Sequence, residues 1–285
     1  MTSQNPDKAL QWTWARLRFW DKFPGGRVLN RLFFQRRIPE LARNVFGIDF
    51  PGVVGMGEGI DLNGDFYPML ADHGYAFTEI GPLTLAPEGR YFKGIRHALA
   101  NLQKTLPSVP LAANLASHSL CTDETKMIGE FSTAFSLLYD FVDFFIINTS
   151  IQSISGGISS LEDISFLSEI LDELLSLRLL NDKSKPVLVQ LSPHMEREHV
   201  NRILDYAMLS GIDGVVATGS ESVRHIHTYT TGRLPIIARS EAPLTPQAAS
   251  DLLKAGASLI EMGHEVSTCR RSLMRRINKQ LKNSL

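Results

Sequence analysis

The residues best placed to do chemistry are the polar side chains that close a series of short apolar runs. In chain order they are Glu58 and Asp61, Thr84, Asn114, Asn148 with Ser150, Gln190, Thr218 with Ser220, Arg239 with Glu241, and His264. Several consecutive members are uncharged hydrogen-bonding groups, which suits an amide-rich planar ligand better than a metal ion. No His or carboxylate spacing forms a metal-ligand pattern, no Gly-x-Ser-x-Gly elbow presents a nucleophile, and no Walker loop cradles phosphates. Glu58 and Asp61 read as a carboxylate pair, or Asp61 as the residue that caps or pins a loop. His264 reads either as a base or as a satisfied polar residue at a strand end.

The elements that must position these groups are eight apolar runs. They are GVVGMG (52–57), FTEIGP (77–82), PLAANLA (110–116), FFIINTS (144–150), PVLVQLS (186–192), GVVATGS (214–220), LPIIARS (234–240) and SLIEMG (258–263). Continuous Val, Ile and Leu, rather than strict alternation, indicates strands buried on both faces. Most intervals hold a helix-like stretch, clearest in 161–180, 198–211 and 245–256, while the interval between the sixth and seventh runs is too short for a good helix. Eight strands alternating with helices, with no break in composition, predict a single (β/α)8 barrel over residues 44–285, with a doubly wound sheet as the alternative. In such a barrel the site lies at the C-terminal ends of the strands, where the polar series stands.

Ahead of the barrel, residues 1–43 form a candidate extension. They hold nine Lys or Arg and three Asp or Glu, a net +6 in a chain whose total is −1, and they contain Trp12, Trp14 and Trp20. Leu10, Trp14 and Leu17 fall on one helical face, PGG (24–26) makes a turn, and VLNRLFF begins a second amphipathic stretch. A basic, Trp-rich helical hairpin suits a membrane surface or a quinone through residues 8–37, and equally a cap over the barrel mouth. A protein partner of unknown identity also remains open, whereas the overall charge carries no nucleic-acid signature. Cys121 and Cys269 lack metal or redox spacing and read as reduced thiols of a cytoplasmic protein. The first residues are polar, without a signal-peptide core, and no apolar run approaches the roughly 18–20 residues of a spanning helix. The expected location is therefore cytoplasmic or peripheral to a membrane.

Several segments, taken in order, resemble the class 2 dihydroorotate dehydrogenases, the FMN-dependent, quinone-reducing, membrane-associated branch of that family. They are GIDLNGD (59–65), TEIGPLT (78–84), the Asn of AANL, IINTS, GVVATGS, GRLPII (232–237) and AGASLIEM (255–262). The resemblance implies an FMN site with no metal, contributed by Gly59, Asn114, Asn148, Gln190 and Thr218, and substrate contacts from Ser150 and Ser220. It also implies a flavin that takes hydride from C6 of dihydroorotate while a Ser base removes a proton from C5, in pyrimidine biosynthesis. That Ser belongs to a segment reading Asn-x-Ser-Ser-Pro-Asn-Thr. Here the segment runs Asn148-Thr149-Ser150-Ile151-Gln152-Ser153-Ile154, so Ile151 occupies the base position. An alkyl side chain cannot accept a proton, and general acid–base catalysis supplies about 10²–10⁴-fold in rate.

Other family groups change with it. Leu62 replaces the Lys after the first strand, and Gln190 replaces the flavin-facing Lys of the fifth, removing a Coulombic partner for reduced flavin. The Asn-Arg-Met-Gly-Phe-Asn substrate segment has no counterpart in KGIRHALANLQKTLPS. ARSEAP places Glu241 where the family's glycines would receive the FMN phosphate, with Arg239 as partial counter-charge, and Gly263-His264-Glu265 adds a further carboxylate. Two classes of function follow. One is a diverged barrel that has lost oxidation of dihydroorotate to orotate and acts as a binding or partner protein. The other is a working FMN-dependent, quinone-linked oxidoreductase with a relocated base. The concurrent losses favour the first.

Overall fold

The computed structural model describes residues 8–26, 28–29, 38–118, 121, 123–149, 163–241, 243–263 and 271–284. Eight parallel strands follow the eight apolar runs. They are β3 (Val54–Asp61), β4 (Thr78–Leu83), β5 (Leu111–Leu115), β6 (Phe144–Asn148), β7 (Val187–Gln190), β8 (Gly214–Thr218), β9 (Ile236–Arg239) and β10 (Leu259–Met262). β10 pairs back onto β3 and closes the barrel. The fold is thus the expected (β/α)8 barrel, and closure removes the doubly wound alternative. Every residue of β5 and β6 is buried, as a sheet covered on both faces requires.

Strand alternation divides the apolar residues into two sets. Phe77, Ala112, Phe144, Ile146, Leu188, Val216 and Leu259 fill the barrel interior. Their neighbours face the surrounding helices: Phe145, for example, lies with its ring 4.3 Å from that of Phe135. Those helices are α2 (Tyr67–Asp72), α3 (Ile95–Leu102), α4 (Glu124–Leu138), α5 (Ile164–Leu179), α6 (Arg197–Ser210), α7 (Ser220–Tyr229), α8 (Pro246–Lys254) and α9 (Arg271–Ser284). The starts of α4, α5 and α8 carry capping side chains, Asp123, Asp163 and Thr245, each accepting a backbone N–H of the first turn. The ten-residue α7 corrects the expectation that the interval between the sixth and seventh strands was too short for a good helix. Only two of its residues, Val223 and Ile226, are buried, so its apolar signal is sparse.

The lower end of the barrel is closed by an antiparallel hairpin, β1 (Arg43–Val45) and β2 (Ile48–Phe50). Its turn residues Phe46 and Gly47 have φ of 55° and 79°, the type I′ geometry that matches strand twist. A positive φ is unusual for Phe, and here its ring packs 6.2 Å from Phe144 and 6.3 Å from Phe50. The boundary expected between residues 43 and 44 therefore falls inside β1.

Helix α1 (Lys8–Lys22) lies across the opposite, C-terminal side of the strands. Leu10, Trp14 and Leu17 are buried, as their spacing predicts. Trp14 Nε1 donates to the carbonyl of Ile60 at 2.7 Å, and its ring stacks on Phe66 and meets Tyr91. A helix of 15 residues is marginal alone. Burial contributes roughly 1.5–3 kcal/mol for each large apolar side chain. The second amphipathic stretch of the extension lies largely outside the described residues.

Candidate functional site

Two residues beyond the apolar interior layer, the same inward-facing positions become polar. Phe77 is followed by Glu79, Ala112 by Asn114, Ile146 by Asn148, Leu188 by Gln190, Val216 by Thr218, and Leu259 by Glu261. Arg239 stands in the same relation to Ile237. Strand β3 supplies Glu58 differently. Its register with β4 passes from Met56↔Thr78 to Asp61↔Ile80, five residues against two, so Gly57–Ile60 bulge and Glu58 is delivered into the mouth.

These side chains bind one another. The Glu58 carboxylate accepts from Asn148 Nδ2 at 2.7 Å, Gln190 Nε2 at 3.0 Å and Arg239 Nη1 at 2.6 Å, with Asn114 Nδ2 at 3.2 Å. Asn114 Nδ2 donates to Glu79 Oε1 at 2.7 Å and Gln190 Oε1 at 2.8 Å, and Asn114 Oδ1 accepts from Asn148 at 2.9 Å. Arg239 Nε donates to Glu261 Oε1 at 2.5 Å. Glu58 and Arg239 are each 17% exposed in their side chains and Glu261 is fully buried, so water screens these charges weakly. Burial alone would favour a neutral guanidine, but the carboxylates of Glu261 and Glu58 together raise the Arg239 pKa further and hold it charged.

A rim surrounds this layer. Asp61 is buried and pins the loop after β3 by accepting from the backbone N–H groups of Asp65 and Phe66, both at 2.8 Å. Burial pushes its carboxyl up to about 7, against the pull of those two donors. The stretch KGIRHALANLQK folds around α3, whose polar edge turns to Asp65. His97 Nε2 lies 2.9 Å from Asp65 Oδ1, Asn101 Nδ2 donates to the same oxygen at 2.8 Å, and Lys93 Nζ pairs with Oδ2 at 3.1 Å. Burial raises the Asp65 carboxyl, but His97 and Lys93 outweigh it and hold it below its ordinary value. At the start of α7, Gly219 (φ 86°) faces Glu241: a Cβ there would stand 2.0 Å from Glu241 Oε1. Glu241 thus lays a carboxylate beside a helix N-terminus, where an external anion would otherwise be attracted.

The structure brings Asn114, Asn148 and Gln190 together as one hydrogen-bonded group, with Thr218 at the end of β8 beside them in register with Arg239. Gly59 sits at φ 89° within the β3 bulge, and Ser220 is the first residue of α7. Arg239 is directed into the mouth toward Glu58 and Glu261. Ser150, Ile151, Ser153 and His264 lie outside the described residues. Sequence reasoning missed Glu79 and Glu261 as mouth residues. The signal was the two-residue spacing from the interior layer, which places a charge inside an apolar strand. Among the described residues no three His, Cys, Asp or Glu side chains are arranged to hold a metal ion.

Comparison with known proteins gives a consistent set of relatives. The chain is 31% identical over 225 residues to a dihydroorotate dehydrogenase (quinone) of Saccharophagus degradans, covering 67% of this chain and 65% of that one. It is 24% identical over 307 residues to the protein of that name from Christiangramia forsetii, covering 90% and 89%, and 25% identical over 279 residues to that of Cellvibrio japonicus, covering 79% and 81%. No family model matches. A crystal structure of a ligand-free type DHODH from Eimeria tenella superposes with a TM-score of 0.83 at 18% identity, covering 98% of this chain and 94% of that one. That likeness concerns the fold, and the resemblance to class 2 dihydroorotate dehydrogenases rests on the sequence relatives.

Proposed function

We propose, starting from this resemblance to the quinone-dependent dihydroorotate dehydrogenases, that the chain keeps their barrel, has lost the oxidation of dihydroorotate to orotate, and serves as a binding or partner protein. One observation carries the reading. The Glu58 carboxylate engages Asn148, Gln190 and Arg239, while Asn114 is committed to Glu79 and Gln190. Asn114, Asn148 and Gln190 are the groups that the resemblance assigns to FMN. The residues present therefore do not suit the cofactor: its polar contacts are already taken, and Glu241 repels a phosphate at the α7 N-terminus. The Ile at position 151 adds the loss of the base.

The partner that best fits is a membrane surface. Opposite its buried face, α1 exposes Trp12 (77%) and Phe19 (62%), flanked by Lys8, Arg16 and Lys22, and Phe23 is exposed just past its end. Aromatic residues on one face and basic residues beside them suit an anionic interface. Among the described residues no helix is long and apolar enough to cross a membrane.

Turnover tests the loss of activity. With dihydroorotate, added FMN and a quinone analogue, the protein is expected to form no orotate above the protein-free blank. Orotate formation abolished by Asn148→Ala would replace this reading with a working oxidoreductase whose base has moved.

A further inference from the structure

Among the described residues, two fully buried carboxylate oxygens in the mouth, Oε2 of Glu79 and Oε2 of Glu261, have no hydrogen-bond partner, and neither has the buried Nη2 of Arg239. The amide donors around them bond to other oxygens. Asn114 serves Glu79 Oε1 and Gln190, Asn148 serves Glu58 and Asn114, and Gln190 serves Glu58. Arg239 serves Glu58 through Nη1 and Oε1 of Glu261 through Nε, while its Nη2 lies 2.5 Å from the same Oε1 without forming a hydrogen bond. Buried polar atoms are rarely left without a partner, and here two acceptors are left in one barrel mouth beside one donor, Arg239 Nη2.

Gly57 shows how they meet. A Cβ at this position of β3 would stand 2.8 Å from the carboxyl carbon of Glu261 and 3.0 Å from its Oε2. With no side chain there, the Glu261 carboxyl occupies the space over β3, between its own strand β10 and β4, the strand that carries Glu79. Two carboxylates cannot bond without a proton between them.

We propose that Glu79 and Glu261 share one proton, forming an acid–carboxylate pair in the barrel mouth. A single O–H satisfies both orphan oxygens and reduces three carboxylate charges facing Arg239 to two. The inference rests on the reading of the mouth as filled by its own side chains. The charged groups facing Glu79 are Glu261 on β10, Glu58 on β3 and Arg239 on β9. Burial, then the charges of Glu261 and Glu58, push the Glu79 carboxyl well above its ordinary range, and Arg239 opposes them only in part. Such a group stabilises the fold fully below the ordinary Glu pKa, and that contribution is lost as pH rises through the raised folded value. The mouth is therefore a closure that weakens in alkali.

Infrared spectroscopy of the full chain reads the proton directly as the carbonyl stretch of a protonated carboxyl group. The band is expected in the wild type, to persist above the pH of about 7 at which Asp61 titrates, and to be lost there in Glu79→Gln, whose amide reproduces both the donor and the acceptor of the acid. The melting temperature of the wild type should fall as pH rises relative to that of Glu79→Gln. Absence of any acid band above the Asp61 titration, or melting curves that stay parallel across pH, would overturn the shared proton. Absence of the band from the wild type overturns the proposal even if Glu79→Gln does not fold. Flavin uptake, measured on the same sample, reports separately: a retained flavin with the acid band intact overturns the filled mouth and leaves the shared proton standing.

Discussion

Arg239 is the guanidinium that faces Glu58 and Glu261 in a barrel mouth where water is largely excluded. Forming such a buried cluster contributes little net stability, because desolvation offsets attraction, but removing one partner leaves charge uncompensated at about 3–5 kcal/mol. Arg239→Met is therefore expected to lower unfolding stability by about that amount in urea denaturation. Breaking the exposed pair Arg197–Glu221 by Arg197→Met should cost no more than about 1 kcal/mol. Equal, small effects of the two substitutions would mean that the mouth cluster is solvated. At this scale the sequence was partly legible. Asn114, Asn148, Gln190 and Thr218 ended their apolar runs and could be read as site residues. Glu79 and Glu261 stood inside TEIG and LIEM, and only counting two residues from the interior residues Phe77 and Leu259 would have placed them with the rest. That Glu58 binds Asn148 and Gln190 depends on the β3 bulge, which no local pattern announced.

Among the elements, strands were the most legible, because continuous Val, Ile and Leu runs have one comfortable place in a soluble fold, a sheet covered on both faces. Helix α7 was not, since its short apolar face of Val223 and Ile226 gives little periodicity. The β1–β2 hairpin escaped notice for a related reason: strands of three residues are too short to alternate visibly. Helix α1 was read correctly on its buried face. Its other face carries the partner proposal. Trp12→Ala together with Phe19→Ala should leave the barrel folded, because both side chains are exposed, and should reduce co-sedimentation with anionic vesicles several-fold. Unchanged sedimentation of the double variant, or no binding by the wild type, would contradict a membrane role for this helix.

For the molecule as a whole, strand-end positions within the segments that resemble class 2 dihydroorotate dehydrogenases point into the barrel mouth and bind one another. The strand-end amides Asn114, Asn148 and Gln190 bond to Glu58 and to each other, and the cation of the mouth stands on β9 as Arg239. Barrel architecture survives such changes because the interior apolar layer beneath, from Phe77 to Leu259, does not depend on what fills the mouth. The most direct measurement is the visible absorbance spectrum of the purified protein before and after incubation with FMN and desalting. A filled mouth predicts a colourless protein that retains no flavin. A flavin band that survives desalting would contradict it, and would show that Glu58 and its partners give way to the cofactor.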